Sequence, residues 1–219
     1  MKKYELTKET RIINGRTLHR IKALVSFSGV DEGELGGFVE KEENLSHEGY
    51  AWVYGDARVY GDARVYGNAW VYGDARVYGD ARVYGNAWVY GNARVYGDAR
   101  VYGNAWVYGN AWVYGNAWVY GDARVYGDAR VYGDARVYMA THLLVIGPCG
   151  SRDGFTTFFK NKDGEISVRC GCFLGTIDEF LAKVSETHGD NKHAQVYKAA
   201  VELVKVHIDL AEEEETGHD

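Results

Sequence analysis

The chain has 219 residues and a formal net charge of −6, and 46% of its residues are hydrophobic. This length suffices for one elongated repeat domain and a small second domain. The negative charge argues against a protein that binds the phosphate backbone of nucleic acids. No apolar run reaches the length of a membrane span, and residues 1–5 lack the apolar core of a signal peptide. Three cysteines are an odd number and too few for a disulfide scaffold, which favours a reducing cytoplasm.

Residues 1–50 have the features of a β-rich cap. An Asn-Gly pair at 14–15 separates two strand-like runs, a pattern typical of a two-residue hairpin turn. Val39 and Leu45 are six residues apart and Leu45 and Val53 are eight apart, which predicts a degenerate first coil with a two-residue insertion. Because the open end of a solenoid exposes strand edges and core side chains, we expect this segment to cover that end.

Residues 51–138 repeat the hexapeptide Ala-Trp/Arg-Val-Tyr-Gly-Asp/Asn without insertion, and its valine occurs fifteen times. A short fixed period indicates a repeat architecture, and a six-residue period is typical of a β-helix. Side chains alternate across a strand, so Ala and Val should face the core while Trp or Arg and Tyr face outward. The Gly-Asp and Gly-Asn pairs suit corners with left-handed backbone.

The repeat resembles the left-handed parallel β-helix of hexapeptide-repeat proteins, in which an aliphatic residue is followed four positions later by a small one, as Val53 is by Ala57. The resemblance implies that three hexapeptides make one triangular coil, so the fifteen copies would form about five regular coils. The predicted fold is therefore mainly β: a left-handed parallel β-helix with an N-terminal β cap and a small C-terminal α+β domain.

Three hexapeptides per coil sort the variable Trp/Arg position onto three faces, numbered here in chain order. Face 1 carries Trp52, Trp70, Trp88, Trp106 and Arg124; face 2 carries Arg58, Arg76, Arg94, Trp112 and Arg130; face 3 carries Arg64, Arg82, Arg100, Trp118 and Arg136. Because large exposed apolar patches usually mark a partner, the four tryptophans of face 1 are a predicted partner or homo-oligomer face, for a dimer or trimer. The alternative is that they only stack along the prism.

The repeat itself lacks the usual signs of chemistry. Hexapeptide-repeat acyltransferases use a histidine base and protruding loops, whereas no histidine lies between His47 and His142 and no loop interrupts the repeat. Nucleic-acid binding is not expected, since corner aspartates offset the arginines. Asp precedes Arg and Asn precedes Trp with one exception, Asn92 before Arg94, which we interpret as local charge balance.

Residues 139–211 predict an α+β domain, and 212–219 predict an acidic, disordered tail. Thr176 and Glu179 form a capping box at the start of the first helix, and Gly189 suits its end. We expect a three-stranded meander followed by two helices, over residues 143–146, 155–159, 165–170, 176–188 and 191–210.

A glycine-rich loop at 147–154 is the candidate ligand site. Glycines let backbone N–H groups approach an anion, and arginines and hydroxyls add charge-assisted hydrogen bonds. The predicted ligand-binding residues are Ser151, Arg152, Thr156, Thr157 and Arg169. An ordinary hairpin turn is the alternative. Cys170 and Cys172 do not have the usual zinc spacing, so no metal or cofactor is predicted.

The flanks of the repeat, residues 33–49, 146–152 and 169–173, resemble hexapeptide-repeat proteins of phages and prophages. The resemblance implies a host-directed accessory role in the bacterial cytoplasm, such as antagonising immunity. We therefore predict a non-catalytic protein that binds a small anionic, nucleotide-like ligand or a host protein through its C-terminal domain. A divergent acyltransferase and a purely structural, self-assembling protein are the alternatives.

Overall fold

The computed structural model describes residues 1–210, and its N-terminal segment is a three-stranded cap. The cap strands are β1 (Tyr4–Ile13), β2 (Arg16–Ala23) and β3 (Leu35–Val39). Antiparallel β1 and β2 meet at a two-residue turn in which Asn14 and Gly15 have φ of 51° and 77°. Positive φ at both turn residues is what a tight hairpin requires, so the predicted hairpin is confirmed.

Each hexapeptide contributes one two-residue strand to a β-solenoid. In chain order these are β4 (Trp52–Val53), β5 (Arg58–Val59), β6 (Arg64–Val65), β7 (Trp70–Val71), β8 (Arg76–Val77), β9 (Arg82–Val83), β10 (Trp88–Val89), β11 (Arg94–Val95), β12 (Arg100–Val101), β13 (Trp106–Val107), β14 (Trp112–Val113), β15 (Trp118–Val119), β16 (Arg124–Val125), β17 (Arg130–Val131) and β18 (Arg136–Val137). Every strand pairs in parallel with the strand three hexapeptides away, which builds the three predicted faces.

The first turn of the solenoid is irregular in the way the sequence predicts. Val39 pairs with Val59 and Leu45 with Val65, each 20 residues apart, whereas Val53 pairs with Val71 at the regular spacing of 18. The two additional residues therefore lie between Leu45 and Val53. With this turn included, the solenoid has about six turns.

Alternating alanine and valine side chains fill the solenoid interior. Every repeat alanine and valine from Ala51 to Val137 is at most 1% exposed. Full burial stabilises a valine by roughly 1.5–3 kcal/mol, so the core energy is spread evenly along the axis. The backbones of adjacent coils approach closely at the corners, which requires glycine there. Gly67 has φ of 67°, and a Cβ on it would lie 3.0 Å from the nitrogen of Gly85 in the next coil.

The C-terminal domain is a four-stranded antiparallel sheet with two helices. Its elements are β19 (Leu143–Cys149), β20 (Gly154–Lys160), β21 (Ile166–Cys170), β22 (Phe173–Thr176), α1 (Ile177–His188) and α2 (Lys192–His207). The three-stranded prediction was wrong because the chain reverses at Gly171, with φ of 57°, and Phe173 pairs back with Cys170. The capping box of α1 is confirmed, with the Thr176 backbone N–H donating to Glu179 at 2.8 Å.

The C-terminal sheet closes the end of the solenoid. Leu143 and Phe159 belong to the solenoid core, while Phe158 and Val168 on the opposite sheet face pack with α1 and α2. No helix within residues 1–210 is both long and apolar enough to cross a membrane. The predicted acidic tail, 212–219, lies outside the described residues.

Candidate ligand-binding cavity and the surface of the solenoid

The C-terminal domain contains a cavity of about 220 Å³ between the 147–154 loop, the β21–β22 turn and the two helices. Ser151 and Arg152 line it, as the sequence analysis predicts for a ligand site. The other lining residues are Cys149, Gly154, Phe155, Cys170, Gly171, Cys172, Phe173, Phe180, Lys183, Val184, Thr187, His188 and Tyr197. Cavity residues therefore come from both helices as well as from the loop.

Three of the five predicted ligand residues lie elsewhere. Thr157 and Arg169 face the solenoid: the Thr157 hydroxyl accepts the backbone N–H of Arg130 at 3.1 Å, and the Arg169 guanidinium lies 4.9 Å from the Tyr132 ring. Thr156 is on the helix side of the sheet but only 1% exposed, and its hydroxyl donates to Cys170 Sγ at 3.2 Å. Strand alternation separates neighbouring residues onto opposite sheet faces, so these five cannot form one site.

Tyr197 of α2 forms the inner wall of the cavity. Its ring is 7% exposed and packs edge-on against Phe180 at 5.4 Å, and its hydroxyl accepts a weak hydrogen bond from Cys170 Sγ at 3.8 Å. A Cβ at Gly150 would lie 1.8 Å from that hydroxyl oxygen. The loop can approach Tyr197 only because residue 150 is glycine.

The charged groups around the cavity are cationic. Arg152 and Lys183 both line it with exposed side chains. Lys183 also forms an ion pair with Glu186 at 2.8 Å, which offsets part of its charge. Among the described lining residues none is acidic. The site therefore combines an apolar, aromatic interior with a positive rim, which suits a ligand with an anionic end.

Two ionisable groups inside the cavity, Cys149 and Tyr197, are held neutral. Burial raises the pKa of the Cys149 thiol, and nearby Cys170 raises it further. Burial and Cys170 raise the pKa of Tyr197 to about 12. A thiol must be deprotonated to act as a nucleophile, and these shifts oppose that. All three cysteines are free, and residues 1–210 contain no group of three or more histidine, cysteine or acidic side chains arranged to hold a metal ion.

Sequence reasoning missed the helical wall, namely Phe180, Lys183, Thr187 and Tyr197. The helical period places Phe180 on the buried face of α1, but it gives no sign of which loop that face approaches. The one available signal was the glycine at position 150, since a glycine in a loop often marks a close approach by another group.

Face 1 of the solenoid differs from the prediction at one residue. Trp52 is 0% exposed, because the ring of Phe27 from the N-terminal cap packs on it at a centroid distance of 5.4 Å. Trp52 therefore belongs to the core and not to an exposed column. Trp70, Trp88 and Trp106 are partly exposed and stack in order, with centroids 5.7 and 5.4 Å apart and planes within 9°.

Neighbouring side chains also stack on the faces of the other aromatic rings. On face 2, Arg94 and Arg130 lie on the ring of Trp112, at 4.6 and 4.0 Å from its centroid. The tyrosines of each face form columns, such as Tyr78 and Tyr96 at 4.8 Å and 1°. A ring whose two faces are covered offers only its edge to solvent. Rings covered on both faces inside these columns therefore cannot stack on nucleotide bases as single-strand binding proteins do, and they stabilise the prism instead.

Comparison with known proteins is consistent with the fold. Part of the chain is similar to the family model described as YdcK Beta solenoid repeat. The matched segments are 57–73, 75–91, 87–103, 93–109, 99–115, 105–121, 117–131 and 123–143. A search of curated proteins gives no match. The chain is thus a β-solenoid repeat protein whose matched part is the scaffold, while the cavity lies beyond it.

Proposed function

We propose that the chain is a non-catalytic binding protein in which the β-solenoid is a rigid scaffold and the C-terminal cavity holds a small anionic ligand. The observation that carries this proposal is the positive rim: Arg152 and Lys183 flank an apolar cavity with no acidic residue among its described lining. Charge-assisted hydrogen bonds to such groups contribute roughly 1.5–3 kcal/mol each.

The size of the cavity limits the ligand. Sites for drug-sized molecules occupy about 300–1,000 Å³, whereas this one has about 220 Å³. The ligand is therefore a small anion or one end of a larger molecule, such as the phosphate end of a nucleotide. The resemblance to phage and prophage proteins supports a role in which this protein sequesters a nucleotide signal of bacterial immunity in the host cytoplasm.

Two observations favour binding over acyl transfer. His142, which follows the repeat, is 0% exposed. His47, which precedes it, accepts the backbone N–H of Lys3 through Nδ1 at 3.2 Å. Neither of these two histidines that flank the repeat is therefore placed as a free general base on the solenoid, and general-base catalysis needs such a group within reach of the substrate.

Calorimetric titration of the full chain with pyrophosphate and nucleoside monophosphates tests the cavity. We expect Arg152→Ala and Lys183→Ala each to weaken binding about tenfold, because each removes one charge-assisted contact. Lys162→Ala is the matched control, since Lys162 is exposed on the same domain and pairs with Asp163 at 2.8 Å. Equal affinity in wild type and Arg152→Ala would contradict the proposal.

Self-association is a second candidate, favoured by an exposed apolar stripe on α2. Val196, Ala199, Leu203 and Val206 are spaced three, four and three residues apart, which is the spacing of a coiled-coil seam. Leu203 is 55% and Val206 85% exposed. If this stripe pairs two copies, Val206→Glu will reduce the mass measured by light scattering. If face 1 pairs them, Trp70→Arg combined with Trp88→Arg will do so.

A further inference from the structure

A second, larger cleft lies at the opposite end of the molecule, where the N-terminal cap joins face 3. Its volume is about 640 Å³, within the range of ordinary ligand sites. The lining residues are Glu42, Glu43, Leu45, Ser46, His47, Arg64, Val65, Tyr66 and Arg82. The cleft exists because the irregular first turn brings no aromatic or arginine side chain onto face 3.

Tyr66 begins a tyrosine column whose first ring face is not covered by another ring. It stacks on Tyr84 at 4.8 Å and 3°. On the other side, Ser46 occupies the preceding tyrosine position: its backbone N–H donates to Val65 at 2.9 Å, as that of Tyr66 donates to Val83 at 3.1 Å. By contrast, Tyr60, the first tyrosine of face 2, is 7% exposed and packs against the cap. Within residues 1–210, Tyr66 has no second ring partner.

Two arginines on the wall of the same cleft lack ion pairs. Arg64 and Arg82 are paired in register on adjacent strands, so their backbones are about 4.8 Å apart. Both side chains are exposed, and neither forms a hydrogen bond or ion pair with any described residue. Arg100, the next arginine of face 3, instead lies against Trp118 at 4.8 Å. Paired guanidiniums of this kind suit a phosphate or carboxylate group.

The opposite wall of the cleft carries two carboxylates, which accept hydrogen bonds. Glu43 has no ion pair among the described residues, whereas Glu42 binds Lys2 at 2.6 Å. His47 Nε2 lies 3.7 Å from the second oxygen of Glu42. Because Lys2 offsets Glu42, one carboxylate without an ion pair within residues 1–210, Glu43, lies in the same cleft as two such guanidiniums, and the cleft offers both an acceptor and cations. A ligand with an anionic group at one end and N–H donors at the other fits both walls.

We propose that this cleft binds a nucleoside monophosphate or a similar planar, amino-bearing aromatic anion. The ring stacks on the open face of Tyr66 and continues the column, the anionic group lies between Arg64 and Arg82, and amino groups of the ring donate to Glu43. Stacking of a base on an aromatic side chain contributes to binding with little preference between bases. The site is separate from the C-terminal cavity, so either proposal can fail alone.

Titration calorimetry with three probes tests each contact: adenosine monophosphate, adenosine and inorganic phosphate. We expect the monophosphate to bind at least tenfold more tightly than either fragment. Arg64→Gln combined with Arg82→Gln should weaken the monophosphate at least tenfold and leave adenosine within twofold. Tyr66→Phe should retain binding, because it keeps the ring, and Tyr66→Leu should lose it. Arg100→Gln, on the same face beyond the cleft, is the matched control.

Thermal melting of each variant shows whether the fold is intact. Tyr66→Phe keeps an aromatic ring in the column, so it separates loss of the hydroxyl from loss of the ring. Three results would overturn the proposal: no binding of adenosine monophosphate at millimolar concentration, binding that survives the double arginine substitution, or binding that is lost only in Arg152→Ala. The last result would place the nucleotide in the C-terminal cavity and leave the N-terminal cleft without this role.

Discussion

His142 is a buried base at the junction between the solenoid and the C-terminal domain. It is 0% exposed, and its ring meets that of Tyr138 edge-on at 4.1 Å. Burial, aided by the ammonium of Lys160 and opposed by Asp209, lowers its pKa from 6.5 to about 4. His142 is therefore neutral in the folded protein at physiological pH.

This shift predicts a loss of stability in acid. Between about pH 6.5 and 4 the unfolded state binds a proton at His142 that the folded state does not, so stability falls as the pH is lowered through that window. At about 1.4 kcal/mol per pKa unit, the loss is roughly 3 kcal/mol at pH 4. Urea denaturation at pH 7, 5.5 and 4.5 measures it. His142→Gln does not titrate and should show a smaller decrease; equal decreases in both proteins would contradict the assignment.

At the scale of the repeated element, corner asparagines form amide ladders along the solenoid. Asn86 Nδ2 donates to Asn104 at 3.2 Å, and Asn104 Nδ2 donates to Asp122 at 3.1 Å. A second ladder runs from Asn92 through Asn110 to Asp128. The ladders explain Asn92, the exception that local charge balance leaves unexplained, because an amide can donate to the next coil and a carboxylate cannot.

Exchanging the amide and the carboxylate between residues 104 and 122 of one ladder tests this explanation. Asn104→Asp should cost about 1 kcal/mol of stability, because it removes a hydrogen bond and places two carboxylates side by side. Adding Asp122→Asn should recover most of that loss, since the new amide can donate back to residue 104. Urea denaturation of both single variants and the double variant gives the coupling energy. Additive effects with no coupling would contradict the ladder.

At the scale of the whole molecule, the features set by the six-residue period were predictable from the sequence. The features set by packing of the N-terminal cap and the C-terminal domain were not. The three faces follow from the six-residue period, and the irregular first turn follows from the spacing of Leu45 and Val53. Burial of Trp52 does not follow, because its hexapeptide matches those of exposed tryptophans and only the folded cap distinguishes it. In the same way, Arg152 could be identified within a glycine-rich loop, whereas the helices that complete its cavity are brought there by tertiary packing.

The two ends of a solenoid must be sealed, and Trp52 seals the first. Its ring is enclosed by Tyr4 at 6.1 Å and Phe27 at 5.4 Å, whereas Trp70 in the next coil is partly exposed. Removing a fully buried tryptophan side chain costs about 3–5 kcal/mol. Trp52→Ala should therefore lower the free energy of unfolding by that amount, and Trp70→Ala by distinctly less, as measured by urea denaturation. If Trp52 were part of an exposed partner face, the two substitutions would have similar, small effects on the isolated chain.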